Sequence, residues 1–206
     1  MVFRVPGGTR QGHVVRYIVV SGRQQPTTIG ELDGRPSPRL EQIVDIFKGA
    51  GFPSAISSQM DAWLKTHVAE ISPMANALYM AGGDILRLSR TRDAMVLMIR
   101  AIREGYQVLQ ELKIPIVPTG RKIFKWVPEP ILVPLVGRLF KREEMAELIG
   151  HAHAARDEMK QIAVDFRMLA RSAAVPTPAM DHLYAHLEPD EQPLADGSAR
   201  IALKWH

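Results

Sequence analysis

The chain has 206 residues, 46% of them hydrophobic, with a mean hydropathy near zero and a formal net charge of +4. That composition excludes a disordered or membrane-embedded chain and leaves room for one good-sized core. There is no cysteine, which removes disulfides, thiol catalysis and thiolate metal sites together and fits a reducing, cytoplasmic setting.

Met1 to Gly8 lacks an apolar run and does not read as a signal peptide. His13 to Val20 is β-branched and almost continuously apolar, which predicts a buried strand. Thr27 to Leu32 predicts a second, shorter strand that ends at the turn-forming Asp33-Gly34. Two strands do not make a stable sheet by themselves, so they are expected to be the trailing edge of a larger one. Ser37 followed by Pro38 starts a helix whose apolar positions are Leu40, Ile43, Val44 and Phe47, and Gly49 and Gly51 close it. Phe52 to Ser57 is read as a brief extended link.

From Ser58 the pattern is helical. Ser58 and Asp61 form an expected capping pair. Met60, Trp63, Leu64, His67, Ile71, Met74 and Leu78 mark the expected apolar stripe of a helix reaching Tyr79, with a kink at Pro73. A further helix spans about Thr91 to Leu112. The stretch from Pro118 to Arg142 carries basic residues around Phe124, Trp126 and Phe140. An interfacial membrane helix is one reading of Arg121 to Arg142, but the three prolines in that range argue for a lid or loop instead. The longest apolar run, Val127 to Phe140, is broken by proline and falls short of the ~20 residues a bilayer crossing needs. The longest helix is expected from about Arg142 to Ala173 at near-heptad spacing. Val175-Pro176-Thr177-Pro178 ends it, a short helix reaches Leu187, and residues 191–206 are expected to be a loose tail. The fold class read from these elements is mainly α, a helical bundle preceded by a short two-stranded β remnant.

Three strings carry a resemblance. They are Ile29-Gly30-Glu31-Leu32-Asp33-Gly34, then Met60-Asp61-Ala62-Trp63-Leu64-Lys65, then Ala154 to Asp165 followed by Val175-Pro176-Thr177-Pro178. In this order and spacing the chain resembles the ketopantoate reductase (2-dehydropantoate 2-reductase) family. The resemblance implies a helical domain like the C-terminal domain of 6-phosphogluconate dehydrogenase, over 57–190, with a remnant of a Rossmann nucleotide-binding domain over 1–56. It implies reduction of a small 2-keto acid by NADPH, with Lys65 as the catalytic lysine. It also implies that positions near Ser72, His153 and Asp165 hold the substrate. Where the family has an asparagine four residues after the lysine, this chain has Ala69, so the substrate clamp is altered.

Residue chemistry agrees in part. Lys65, Ala69, Ser72 and Asn76 share one helical face, and a cation beside a ketone stabilises the negative charge that grows on its oxygen during reduction. His153 and Asp157, one turn apart, could hold a carboxylate, whereas His151 and His153 point to opposite sides of a helix and do not chelate one metal ion. His67 lies on the apolar stripe and reads as a core histidine. The dinucleotide fingerprint G-x-G-x-x-G is missing, so NADPH is expected to need a nucleotide-binding half that this sequence does not supply. The leading expectation is therefore the substrate-binding half of a 2-keto acid reductase. The alternative is a non-catalytic helical dimerisation module from a truncated gene. Neither reading calls for nucleic acid, which wants clustered Lys/Arg with interleaved aromatics, or for a membrane.

Overall fold

The computed structural model describes residues 2–3, 7–18, 26–142, 145, 155–188 and 191–205. The chain is mainly helical. Strands β1 (Val2–Phe3), β4 (Thr27–Ile29) and β5 (Ser54–Ile56) form one small sheet in the order β1-β4-β5. In it β1 runs antiparallel to β4, and β4 runs parallel to β5 with Thr28 opposite Ala55. Strands β2 (Gly7–Gln11) and β3 (Val14–Ile18) form a separate antiparallel hairpin. The expected strand near His13–Val20 is present, but its partner is the preceding Gly7–Gln11 segment, which composition did not mark as a strand.

Helix α1 (Pro38–Gly49) crosses over between β4 and β5. Ser37 caps it, its hydroxyl accepting the Leu40 N–H at 3.2 Å, and Pro38 fills the first helical position. Leu40 and Val44 bury against Ile29 in a small apolar cluster of their own.

The larger core lies among α2 (Met60–Met80), α3 (Ile85–Arg90), α4 (Arg92–Glu111), α6 (Glu129–Phe140), α7 (Arg156–Ser172) and α8 (Pro178–Tyr184). A single turn, α5 (Ile123–Trp126), precedes α6. Helices α2 and α4 pack most extensively, and α8 lies along α4. Gly105 is what lets α2 and α4 approach: a Cβ there would lie 3.1 Å from the Ala69 Cβ.

Four expectations need correction. No Ser58–Asp61 cap forms, since α2 starts after Gln59 with no side-chain cap bond. The stripe of α2 is partly rotated from the expected one: Met60 and Leu78 are buried as expected, but Trp63, Leu64, His67, Ile71 and Met74 are only half-buried, whereas Ala69, Ser72, Pro73, Asn76 and Met80 are buried. Small residues can face a close neighbouring helix, so ranking positions by side-chain size misjudged the inner face. No continuous helix runs from Arg142 to Ala173, because Ala155 has a non-helical backbone and α7 begins at Arg156. The 118–142 stretch is largely helical rather than a lid: Pro128 sits at the N-cap of α6 and Pro130 in its first turn, where a missing N–H costs nothing. Only Pro134 interrupts its ladder.

The expected loose tail is instead a strap. Residues 194–204 cross the ends of α2, α3, α4 and α6 without regular secondary structure, turning at Asp196–Gly197. The Leu194 N–H donates to the Met80 carbonyl at 2.9 Å, and Arg87 donates to the Leu194 carbonyl at 2.5 Å. The Asp93 carboxylate accepts from the Ser198 hydroxyl, the Arg200 N–H (2.9 Å) and the Ile201 N–H (2.8 Å). Glu129 accepts the Lys204 N–H at 2.8 Å while its own N–H donates to the Lys204 carbonyl at 3.1 Å. Leu194, Ile201 and Leu203 pack on the core.

Candidate functional site

The start of α2 brings the two layers together. The loop after β4 rests on the residues that lead into α2, so closely that a Cβ on Gly34 would lie 2.3 Å from the Ser58 carbonyl oxygen and one on Gly30 would lie 2.8 Å from the Met60 Cβ. Gly34 also has φ of +74°, a conformation open to glycine. The same loop, with the first residues of α1, borders a groove of about 540 Å³ lined by Glu31, Asp33, Arg35, Ser37 and Arg39. The groove opens at the carboxyl end of β4, the end where open parallel sheets receive ligands. Glu31 is held by the Ser37 hydroxyl at 2.6 Å and by Arg39 at 2.6 and 3.2 Å. Chiefly the Arg39 hydrogen bond, helped by Ser37, keeps its carboxyl below the usual range.

Lys65 lies one and a half turns into α2. Its Nζ donates to both Asp61 carboxylate oxygens, at 2.8 and 2.6 Å. The lysine side chain is 36% exposed, so the ammonium sits at the rim of the helical body. The pairing ties it to the first turn of α2 and away from the next expected site residues. Ser72 and Asn76 lie about 10 and 16 Å further along the axis at 1.5 Å per residue. Both are fully buried, and the substrate role expected of them has no open face. Asn76 has neither amide atom partnered. The Ser72 hydroxyl faces that of Tyr184 across the α2–α8 contact, but neither makes a hydrogen bond of good geometry. Asp165 is exposed on α7, accepting from Gln161 one turn away at 2.8 Å. His153 falls outside the described residues. Lys65 is thus not assembled with Ser72, Asn76 or Asp165.

Sequence reasoning missed a cluster on the neighbouring face of α2. Tyr106 of α4 donates a short hydrogen bond to Glu70, and Arg121 pairs with the other Glu70 oxygen at 3.1 Å. Burial raises the pKa of Glu70 against the opposing pull of Arg121 and Tyr106. His67 stacks on Trp63, ring centroids 5.5 Å apart. Burial, with the Arg121 charge, lowers the His67 pKa to about 4. The neighbouring loop docks here as well, its Val117 N–H donating to the Thr66 hydroxyl at 3.2 Å. The cavity between these groups is only about 10 Å³, room for one water at most. It is a buried polar joint rather than a substrate pocket. The signal available in sequence was Glu70 itself, a carboxylate three residues after His67 on a face that must pack.

Two ligand classes can be tested on these residues. Among the described residues no group of three or more metal-ligating side chains forms. The glycine-rich Gly7-Gly8 stretch does not turn from a strand into a helix, the geometry that presents amides to a pyrophosphate. It lies in a hairpin instead, Gly7 opposite Ile18 and Gly8 opposite Tyr17, so it does not fit NADPH. Neither a family model, nor a curated protein, nor a solved structure matches this chain.

Proposed function

We propose that the chain is the substrate-binding half of a reductase acting on a small 2-keto acid, of the ketopantoate reductase kind, with its nicotinamide cofactor held by other residues than these. The observation that supports this reading best is the position of Lys65. A partly exposed ammonium stands near the start of α2, the end of that helix against which the loop beyond β4 rests. A 2-keto acid brings a carboxylate and a polarised carbonyl, both of which a lysine Nζ can meet. Asp61 positions that ammonium by holding it through both carboxylate oxygens. Arg35 and Arg39 line the groove and add positive charge, Arg39 already committed to Glu31.

The reading is tested by ligand binding, which does not require the cofactor. 2-Dehydropantoate and 2-oxoisovalerate are titrated into the full chain, followed by NMR and by thermal shift. Lys65→Gln keeps the length of the side chain and removes its charge. Loss of one charge-assisted contact should weaken binding roughly tenfold or more. Equal binding by wild type and Lys65→Gln, or binding by neither, removes this function.

A further inference from the structure

Helix α6 presents an unusual outer face. Ile131, Leu135 and Leu139 recur every four residues and are 52%, 50% and 41% exposed, so they form one stripe down the helix. The inner face, Leu132, Val133, Val136 and Phe140, is buried in the core. Helix α6 is therefore apolar on both sides, and only one side has a partner among the described residues.

The surroundings of the stripe indicate what covers the other side. At its start stand Trp126, 72% exposed with Lys125 over its ring at 5.2 Å, and Trp205, 64% exposed. The strap brings Trp205 there through the paired Lys204–Glu129 backbone. At its end stand Arg138, Lys141 and Arg142, all exposed and none in an ion pair among the described residues. The only carboxylate between Thr119 and Arg142 is Glu129, and it is buried and consumed by Arg100 at 2.8 and 2.9 Å. Beside α6 a cleft of about 410 Å³ has an apolar floor of Met95, Val133 and Leu203 under a rim that includes Arg138 and Lys141.

We propose that this face binds the surface of an anionic phospholipid bilayer, lying flat with Ile131, Leu135 and Leu139 among the acyl chains and the cations among the headgroups. Tryptophan at the boundary, lysine and arginine around an apolar strip, and no competing surface carboxylate in the segment are the features of an interfacial helix. Among the described residues no helix is long and apolar enough to cross a membrane, so the contact is peripheral. A second copy of the chain fits less well. Pairing the same face about a two-fold axis brings cation onto cation at both ends of the stripe, and among the described residues from Thr119 to Arg142 the buried Glu129 is the only carboxylate to offset them. The proposal does not depend on the reductase reading.

The test is co-sedimentation of the full chain with phosphatidylcholine vesicles, with and without phosphatidylglycerol, while tryptophan emission is recorded. Binding is expected only to the anionic vesicles, with a blue shift that is lost in Trp126→Phe/Trp205→Phe. Raising salt from about 0.1 to about 1 M shortens screening from about 10 to about 3 Å and should release most of the protein. Arg138→Gln and Lys141→Gln should each lower partitioning roughly fivefold, and Leu135→Ser about tenfold. These side chains are exposed, so helical circular dichroism should be unchanged. Absence of binding to anionic vesicles, or equal binding to neutral ones, overturns the proposal. So does a wild-type dimer in light scattering that Leu135→Ser converts to monomer, which assigns the face to a second copy.

Discussion

Replacing Asp93 by alanine removes the central fastening of the C-terminal strap. The carboxylate is 4% exposed and accepts three hydrogen bonds, two from backbone N–H groups that have no alternative partner once it is gone. Hydrogen bonds to a charged acceptor contribute about 1.5–3 kcal/mol each when measured singly. The three share one group and the strap keeps its ties to Arg87, Arg100 and Glu129, so the expected loss is about 3 kcal/mol rather than their sum. At about 2–4 °C per kcal/mol for a chain of this size, the midpoint of thermal unfolding should fall by about 6–12 °C. Asp93→Asn keeps one acceptor oxygen and should lose about half as much. The pH dependence gives a second handle. Burial raises the Asp93 pKa, but Ser198 and the Arg200 and Ile201 amides outweigh it and leave it below its ordinary 3.8. A lowered carboxyl pKa contributes stability that is present above the unfolded value and lost as pH falls through the folded one. The difference between wild type and Asp93→Ala should therefore shrink below about pH 4. Urea unfolding and limited proteolysis provide the readings. An Asp93→Ala protein within about 0.5 kcal/mol of wild type, with its strap no easier to cleave, refutes the account of what holds residues 194–204.

Three other outcomes follow from the packing. Gly105→Ala places a methyl 3.1 Å from the Ala69 Cβ; overpacking outweighs the gain in helix propensity, and stability should drop by about 1 kcal/mol, with Ala69→Gly restoring it in a double-mutant cycle. His67 has a folded pKa of about 4 against 6.5 unfolded, so its contribution is complete above pH 6.5 and lost on acidification toward pH 4; Glu70, with a raised pKa, acts in the opposite sense. His67→Gln should consequently flatten the fall in urea midpoint between those pH values, and an unchanged slope contradicts a neutral, half-buried imidazole. Ser72→Ala combined with Tyr184→Phe deletes two buried hydroxyls that lack good partners. The pair should be neutral or slightly stabilising, and a loss above about 1 kcal/mol in chemical denaturation means that the two hydroxyls do bond.

Periodicity and local punctuation made most of the helices legible. Ser37-Pro38 announces α1, the Arg92–Glu111 helix lies where its methionine and isoleucine spacing puts it, and Val175-Pro176-Thr177-Pro178 separates α7 from α8. Contacts across long sequence distances were not legible. The segment from Glu191 onward is polar and rich in turn formers, and nothing local says that Asp93, about a hundred positions earlier, collects its amides. Proline was over-weighted in the 118–142 region, because its cost depends on which turn of a helix it enters. At the candidate site, sequence singled out Lys65 as an expectation without its bond to Asp61, and helical spacing grouped Lys65 with Ser72 and Asn76. A shared face is not a shared environment: α4 and α8 cover the lower half of that face and leave the upper end at the rim.

Helix α8 illustrates the same dependence at its own first turn. Thr177, at its N-cap, makes no side-chain bond, and the free amides of Ala179 and Met180 are received instead by the two Glu104 oxygens of α4, each at 2.9 Å. The start signal of this helix is thus borrowed from a residue 75 positions upstream. Seven residues are too few to hold helical form unaided. As a free peptide α8 should be coil, and during folding it can wind only after α4 has offered its carboxylate. Helix α8 then reads as a late joiner, whose order is conferred by the scaffold it closes.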